Sequence, residues 1–136
     1  MMMKRLPVVI LLLALAIVPA CPSHSQEGGE KFTVERFVVA GSIEDREPVG
    51  IVDAFSSATE QVYCFLDART ITEDTSVTFS WSVDGRKLAA ITLPIMQGER
   101  WRTWSSKKLG GQTGLWTVEL QDAAGTKIQS TSFTVE

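Results

Sequence analysis

Apolar and hydroxyl-bearing side chains alternate along Val77–Val83, and this pattern constrains the fold more than any other stretch. A β-strand turns successive side chains to opposite faces, so the apolar set predicts a buried face and the hydroxyl set a solvent face. Asp84-Gly85 follows directly, and this dipeptide is a strong hairpin signal because the tight turn needs positive φ. We therefore predict a half-buried strand, a hairpin turn, and a return strand at Arg86–Leu93 that ends before Pro94.

Short apolar segments with turn signals between them continue from Lys31 to the C-terminus. They predict about seven strands: Phe32–Val39, Gln61–Leu66, Val77–Val83, Arg86–Leu93, Arg100–Ser106, Leu115–Gln121 and Thr126–Val135. Strands at intervals of about 8–14 residues, without a convincing helix, are typical of an all-β, immunoglobulin-like antiparallel β-sandwich. Gly41–Gly50 is interpreted as a charged loop or an irregular edge, because Glu47-Pro48 argues against a central strand.

The expected core includes Trp81 and Trp116, because each heads an alternating apolar series on its strand. Cys64 and Trp81 match part of the immunoglobulin-like core pattern, with Val118 in place of the partner cysteine. Alternation leaves two inward faces open for the second strand: Val62, Cys64 and Leu66, or Tyr63 and Phe65. It divides the first strand into Phe32, Val34 and Arg36 on one side, and Phe37 and Val39 on the other.

Residues 1–20 are predicted to be a signal peptide. Lys4 and Arg5 precede the uncharged segment Leu6–Ala20, and its 15 residues would span roughly 22 Å as a helix, short of the ~30 Å hydrocarbon core. Residues 21–30 are polar and aperiodic, which predicts a flexible tether, and residues 31–136 form the predicted sandwich domain. We expect a periplasmic or envelope-associated protein.

Val18-Pro19-Ala20-Cys21 is similar to the bacterial lipobox, in which a diacylglycerol is added to the cysteine before cleavage ahead of it. Pro19 departs from the small or hydroxyl residue that is usual there. Ordinary signal-peptide cleavage, after Ala20 or after Ser25, is the alternative. Cys21 is thus the candidate lipidation site, and a lipid on Cys21 would be the only membrane contact.

The mature chain is acidic. Removal of residues 1–20 leaves 11 basic and 16 acidic residues, a net charge of −5, so we expect neither a nucleic-acid partner nor binding to an anionic membrane surface. The single histidine, His24, lies in the tether, which leaves no Ser–His or Cys–His pair. Zinc spacing, a phosphate loop and a nucleophile elbow are also absent from the sequence, so it predicts no catalytic residue, no metal and no cofactor. Cys64 lies within an apolar run and is interpreted as a small core residue.

Several short motifs follow one another in the chain: Asp45-Arg46-Glu47-Pro48, Phe79-Ser80-Trp81 with Asp84-Gly85, Trp101-Arg102-x-Trp104-Ser105-Ser106-Lys107, Gly114-x-Trp116-x-Val118, and Gly125. Their order and spacing resemble the bacterial domain-of-unknown-function family 2914, over roughly Phe32–Val135. The resemblance implies an exported or membrane-tethered bacterial module and no reaction. Family members often have a histidine just before the central tryptophan, where this chain has Ser80, so no role of that histidine carries over.

Trp101 and Trp104 are three residues apart, and an odd separation places them on opposite faces of a strand. We expect Trp101 to be the more buried, because its face carries the small Thr103. Arg102 shares the face of Trp104, and the two could form a surface platform for sugar rings or a peptide. The alternative is that a loop covers Trp104 and Arg102 only pairs with an acid.

Asp45-Arg46-Glu47 could meet this basic strand. Arg46 or Arg102 paired with a carboxylate of Glu44, Asp45 or Glu47 would form a structural ion-pair network; the alternative is a solvated charged loop. The candidate binding residues are therefore Arg46, Arg102 and Trp104. The predicted function is a non-catalytic interaction or binding module of the cell envelope with a protein or glycan partner. The alternative, a carbohydrate-active enzyme or its accessory domain, would need a deep cleft lined by Asp45, Glu47 and Arg102.

Overall fold

The computed structural model describes residues 31–136, and within this range the chain forms nine β-strands and no helix. They are β1 (Thr33–Glu44), β2 (Glu47–Ile51), β3 (Ala54–Phe55), β4 (Gln61–Ile71), β5 (Thr75–Val83), β6 (Arg86–Ile95), β7 (Gly98–Lys108), β8 (Gly114–Gln121) and β9 (Lys127–Val135). The predicted signal peptide and tether, with Cys21 and His24, lie outside the described residues. Within the described part, no helix is long and apolar enough to cross a membrane.

The strands form two sheets that pack face to face. One has four strands in the order β2-β1-β4-β7, and the other has five in the order β3-β9-β8-β5-β6. β3 pairs with β9 in parallel, whereas the other strand pairs are antiparallel. The arrangement of β1-β4-β7 against β9-β8-β5 follows the immunoglobulin-like plan. The predicted all-β sandwich is therefore confirmed.

The structure has two short strands that the sequence prediction lacked. Of the two alternatives for Gly41–Gly50, the irregular edge is confirmed and the charged loop is wrong: its first part continues β1, and its second part belongs to the edge strand β2. Asp45 and Arg46 form the turn between them with φ values of 49° and 61°. Positive φ at both central positions normally selects asparagine or glycine, so this turn carried no recognisable sequence signal. The Asp84-Gly85 hairpin, which carried that signal, is confirmed, with φ values of 48° and 79°.

The core lies between the sheets and contains Trp81 and Trp116, both fully buried as predicted. The indole N–H of Trp81 donates to Ser105 Oγ across the sandwich at 3.0 Å, and that of Trp116 donates to the Gln112 carbonyl oxygen at 3.0 Å. Trp116 also stacks on Phe133, with 5.8 Å between the ring centroids. Each buried indole thus keeps a hydrogen-bond partner, as a buried polar group requires.

The structure shows which face of β4 points to the core. Val62, Cys64 and Leu66 belong to the core cluster, so these three residues form the inward face. The Cys64 thiol is buried and unpaired within the described part of the chain, and burial raises its pKa well above the ordinary value. Phe65 points to the opposite side of the sheet yet is also fully buried. Something other than the second sheet must therefore cover Phe65.

The assignment of Arg36 to the face of Phe32 and Val34 is wrong. The register of β1 against β4 shifts between Val34 and Arg36, which marks a β-bulge. The bulge allows Val34 and Phe37 to pack against the same core, and it leaves Arg36 on the outer side of the sheet. Strict alternation fails across such an inserted residue, so periodicity could not predict where Arg36 lies.

Candidate binding surface on the four-stranded sheet

The outer face of the four-stranded sheet, the side turned away from the core, carries a group of charged residues from all four strands. We term this group the outer-face cluster; it consists of Arg36, Glu47, Asp67, Arg69, Arg100 and Arg102. Strand register brings it together, since Asp67 of β4 lies between Arg36 of β1 and Arg102 of β7. The cluster has four guanidinium groups and two carboxylates, and a third carboxylate, that of Glu35, lies near enough to Arg69 to help raise its pKa, so this face of an acidic protein keeps a surplus of one positive charge.

Asp67 is the centre of the cluster, and its side chain is fully buried. Its carboxylate accepts hydrogen bonds from three guanidinium groups: Arg100 Nη2 at 2.9 Å, Arg69 Nε at 3.0 Å and Arg36 Nη2 at 3.1 Å. Burial alone would raise the pKa of Asp67, but these three charged donors together outweigh it and hold the pKa well below its usual range. Asp67 therefore stays ionised and fixes the directions of three arginines.

Glu47 is the second carboxylate and is much more accessible, with 43% of its side chain exposed. Arg36 Nη2 donates to both of its oxygens, at 2.9 and 3.1 Å, and Arg102 Nη1 donates to Oε2 at 3.0 Å. These hydrogen bonds, with that of Arg36 the larger contribution, lower the pKa of Glu47. The bond to Glu47 is also the main reason why the pKa of Arg36 is raised.

The contacts of Glu47 require β1 to bend so that the β1–β2 hairpin lies over the outer face. Glu47 pairs with Glu44, and an extended strand would carry Glu44 about 26 Å away from Arg36. Instead, Glu47 Oε2 lies 2.9 Å from Arg36 Nη2. At the tip of the hairpin, Arg46 Nη2 lies 3.4 Å from the Arg102 carbonyl oxygen, a long hydrogen bond. The β1–β2 hairpin thus reaches across the outer face to β7, the strand at the opposite edge of the sheet.

An aromatic pair lies beside the charges. Phe65 of β4 is opposite Trp104 of β7, and the Arg36 guanidinium lies 5.0 Å from the centroid of the Phe65 ring. This is the distance of a cation–π contact. Trp101 packs against the core, whereas Trp104 is outside the core cluster, which agrees with the predicted opposite faces. Both indoles are half-buried, so the expectation that Trp101 is the more buried of the two stays a prediction.

The structure brings together some of the predicted site residues and adds others. The expected ion pair between Arg102 and the first hairpin exists with Glu47, whereas Arg46 contacts a carbonyl oxygen instead of a carboxylate. The binding roles of Arg46, Arg102 and Trp104 stay a prediction. Sequence reasoning missed Asp67 and three of its arginine partners: Arg36, Arg69 and Arg100. Asp67-x-Arg69 and Arg100-x-Arg102 have the spacing of residues that share a strand face, but only the register shows that the two pairs meet.

The cluster offers chemistry suited to holding anions. Guanidinium groups bind carboxylates and other oxyanions with paired, directional hydrogen bonds. Both carboxylates of the cluster are ionised at neutral pH, because their pKa values are lowered. Within residues 31–136, no group of three or more histidine, cysteine, aspartate or glutamate side chains is arranged to hold a metal ion.

Fold and surface together define a small all-β sandwich of immunoglobulin-like type with a basic outer face. Over residues 74–135 the chain resembles the family described as "Protein of unknown function (DUF2914)". The predicted resemblance is therefore confirmed for the part of the chain from Asp74 onward. The matched segment contains β7 with Arg100, Arg102 and Trp104, but β1, β2 and β4 lie outside it. No curated protein matches the chain.

Solved structures that are similar to part of this chain include three β-glucosidases. The enzyme from Erythrobacter marinus has a TM-score of 0.52 at 8% identity, over 77% of this chain and 15% of that one. The enzyme from Listeria innocua in complex with glucose has a TM-score of 0.48 at 6% identity, over 77% and 16%, and that from Kluyveromyces marxianus 0.45 at 11%, over 74% and 14%. The chain thus spans 14–16% of the length of these enzymes. The similarity to the Erythrobacter marinus enzyme supports the fold alone.

Proposed function

We propose that this protein is an exported, non-catalytic binding module of the bacterial cell envelope, and that the outer-face cluster with Trp104 holds its protein or glycan partner. One observation carries the proposal: the guanidinium groups are oriented but still accessible. The side chains of Arg36, Arg100 and Arg102 are 33%, 38% and 25% exposed, while buried Asp67 fixes the first two. Donors that are already ordered lose less conformational entropy when a ligand binds, which favours affinity.

A half-buried indole adds to this surface. Trp104 lies two residues beyond Arg102 on the same face of β7, about 7 Å along the strand. Tryptophan and arginine are the residue types that contribute most to binding at protein interfaces. A ligand that contacts both would combine stacking on the indole with hydrogen bonds to a guanidinium group.

The alternative of a carbohydrate-active enzyme receives less support from this surface. Hydrolysis of a glycosidic bond commonly needs one carboxylic acid that is protonated at neutral pH. Glu47 meets Arg102 as that alternative requires, but the pKa of Glu47 is lowered, and so is that of Asp67. Both carboxylates instead hold arginines in position.

Export and lipid attachment at Cys21 belong to the proposal and rest on the pattern of residues 1–21. Mass spectrometry of the native N-terminus tests them. A diacylated Cys21 supports a lipoprotein, and an unmodified N-terminus at Cys21 or at Gln26 supports simple secretion. An uncleaved chain would contradict both forms of export.

Quantitative capture from cross-linked bacterial cells tests the binding role. We expect Arg102→Gln and Trp104→Ala to reduce recovery of the partner strongly. Two matched variants outside the outer-face cluster, Lys87→Gln and Leu115→Ala, should leave recovery unchanged, because both residues lie on strands of the five-stranded sheet and are exposed. Equal recovery with all four variants would show that the partner binds elsewhere.

A further inference from the structure

The two carboxylates of the outer-face cluster differ in a way that suggests what the cluster binds. Asp67 is completely buried and holds three arginines from within the sheet. Glu47 comes from the edge strand β2, reaches the arginines from outside, and keeps 43% of its side chain exposed. Asp67 thus holds the arginines in position from within the sheet. Glu47 contacts the arginines from the solvent side, as the carboxylate of a ligand would.

We propose that the outer-face cluster with Trp104 binds an acidic polysaccharide, and that Glu47 occupies the position of a uronate carboxylate until the ligand displaces it. This inference rests on the proposed binding function and specifies its ligand class. The internal carboxylate indicates which anion fits: Arg36 Nη2 contacts both oxygens of Glu47, and Arg102 Nη1 contacts one of them. A planar carboxylate therefore already fits between these two guanidinium groups.

Charge and aromatic surface together favour a polyuronate. The surplus of positive charge remains on the cluster even with Glu47 in place, and it becomes larger when Glu47 leaves. The spacing of about 7 Å between Arg102 and Trp104 along β7 allows one sugar ring to stack on the indole while a carboxylate meets the guanidinium group. Each residue of a polyuronate carries both a ring and a carboxylate, so any part of the chain can make this pair of contacts.

An acidic peptide fits this surface less well. Peptides that bind to β-sheets commonly add a strand at an edge, where unpaired backbone groups provide hydrogen bonds. On the outer face, the backbone of β4 is already paired on both sides, with β1 and with β7. A peptide could add a strand at β7, the edge of this sheet, but it would then lie three strand spacings, about 14 Å, from Arg36 of β1 and away from the position of Glu47. A polyuronate needs no strand pairing and can lie across the outer face itself.

Displacement of Glu47 is feasible, because 43% of its side chain is exposed and a competing carboxylate can reach the same guanidinium groups from solvent. Glu47 also lies in an edge strand, next to a turn that places two non-glycine residues, Asp45 and Arg46, at positive φ. Loss of the Glu47 carboxylate should therefore strengthen ligand binding. A site in which Glu47 only stabilises the fold would give no such gain.

The test is calorimetry of the mature protein with oligogalacturonate, at low and at high salt. We expect binding that weakens as salt rises, because surface charge contacts are screened. Neutral dextran should not bind, and polyglutamate should bind more weakly than oligogalacturonate. Arg102→Gln and Trp104→Ala should each weaken oligogalacturonate binding about tenfold, the usual order for a charged hydrogen bond or a stacked ring.

The decisive comparison is Glu47→Gln against Glu119→Gln. Both variants remove one negative charge, but Glu119 lies in β8 of the other sheet. We expect Glu47→Gln to bind oligogalacturonate about three- to tenfold more tightly than the wild type, with Glu119→Gln close to the wild type. Equal effects of the two variants would overturn the displacement of Glu47, since general charge would then explain the gain.

Two other outcomes would reject the ligand class and leave the proposed function intact. One is polyglutamate binding as tight as oligogalacturonate and equally weakened by Arg102→Gln, which would indicate an acidic peptide. The other is absence of oligogalacturonate binding while partner capture from cells still depends on Arg102 and Trp104. Failure of that capture experiment would instead count against the proposed function.

Discussion

The two sheets have similar inner faces but very different outer faces. Outside the five-stranded sheet, short hydroxyl side chains pair across strands, as Thr78 Oγ1 does with Thr92 Oγ1 at 2.8 Å and Thr117 Oγ1 with Ser132 Oγ at 3.1 Å. Outside the four-stranded sheet lie four arginines, a fully buried aspartate and a fully buried phenylalanine. The first face is what alternation alone predicts for a sheet with one wet side. The second face contains fully buried side chains, those of Asp67 and Phe65, on the side of the sheet turned away from the core.

This difference shows that the outer face of a sheet can carry buried groups whose burial must be compensated by other contacts. Buried charges cost free energy unless they are paired, and a fully buried ring needs a cover. The β1–β2 hairpin provides Glu47 for the pairing and lies over the same face. A face that carries such costs and keeps accessible guanidinium groups is a better candidate for function than the plain hydroxyl surface.

The largest effect should come from Phe65→Ala. Phe65 is on the outer face, but its complete burial makes it equivalent to a core residue, so the variant should lose about 3–5 kcal/mol of unfolding free energy. Trp81→Ala, in the core between the sheets, should cost a similar amount. Denaturant titration measures both, and Phe65→Leu serves as the conservative control. A loss below about 1 kcal/mol for Phe65→Ala would mean that Phe65 is not packed as a core residue is.

Asp67→Asn should have the next largest effect, a loss of about 2–3 kcal/mol, because a charged acceptor of several hydrogen bonds disappears and the arginines repel one another. The loss stays moderate because the arginine side chains can move into water. Arg69→Gln is the matched test of one donor and should cost less, since Asp67 keeps two other arginines. If Asp67→Asn were as stable as the wild type, the cluster would not organise this face.

The charge on Asp67 should also give the protein an acid-sensitive stability. Its pKa in the folded protein is below its value in the unfolded chain, so its contribution is fully present above the ordinary carboxyl pKa of about 4. The contribution is lost progressively as pH falls below that value, because the unfolded chain then binds the proton first. Asp67→Asn should therefore flatten the decline of stability below pH 4, as measured by thermal unfolding across pH. Glu47, whose pKa is also lowered, should account for part of the remaining slope.

Sequence reasoning succeeded where a local rule decides the structure. The alternation around Trp81 and the Asp84-Gly85 turn depend on neighbours in the chain, and both were predictable. The outer-face cluster was only partly predictable, because its partners come from four strands and meet through register. The bulge before Arg36 and the turn at Asp45-Arg46 follow no simple pattern, and each moves residues to a different surface. The resemblance to a family of unknown function could not supply these contacts.

Substitution of the two tryptophans of β7 should distinguish the inner face from the outer face, with smaller changes in stability than those above. Trp101 packs against the core, so Trp101→Ala should lower stability by about 2 kcal/mol, less than a fully buried tryptophan would. Trp104→Ala should lower stability by less than about 1 kcal/mol, because its indole lies outside the core cluster. Acrylamide should quench one component of the wild-type tryptophan fluorescence more strongly than that of fully buried Trp81, and Trp104→Ala should remove this accessible component. Equal protection of Trp104 and Trp81 would remove the case for a binding platform.

The smallest effects should come from the hydroxyl pairs on the five-stranded sheet. Thr78→Ala removes an exposed cross-strand hydrogen bond to Thr92, and water can replace that bond on both sides. Thr117→Ala does the same for the bond to Ser132. Each variant should therefore change the free energy of unfolding by less than about 0.5 kcal/mol, the usual range for surface substitutions. A larger loss in denaturant titrations, close to that of Asp67→Asn, would mean that the two outer faces contribute alike to stability, and the structural cost of the arginine face would no longer point to a function there.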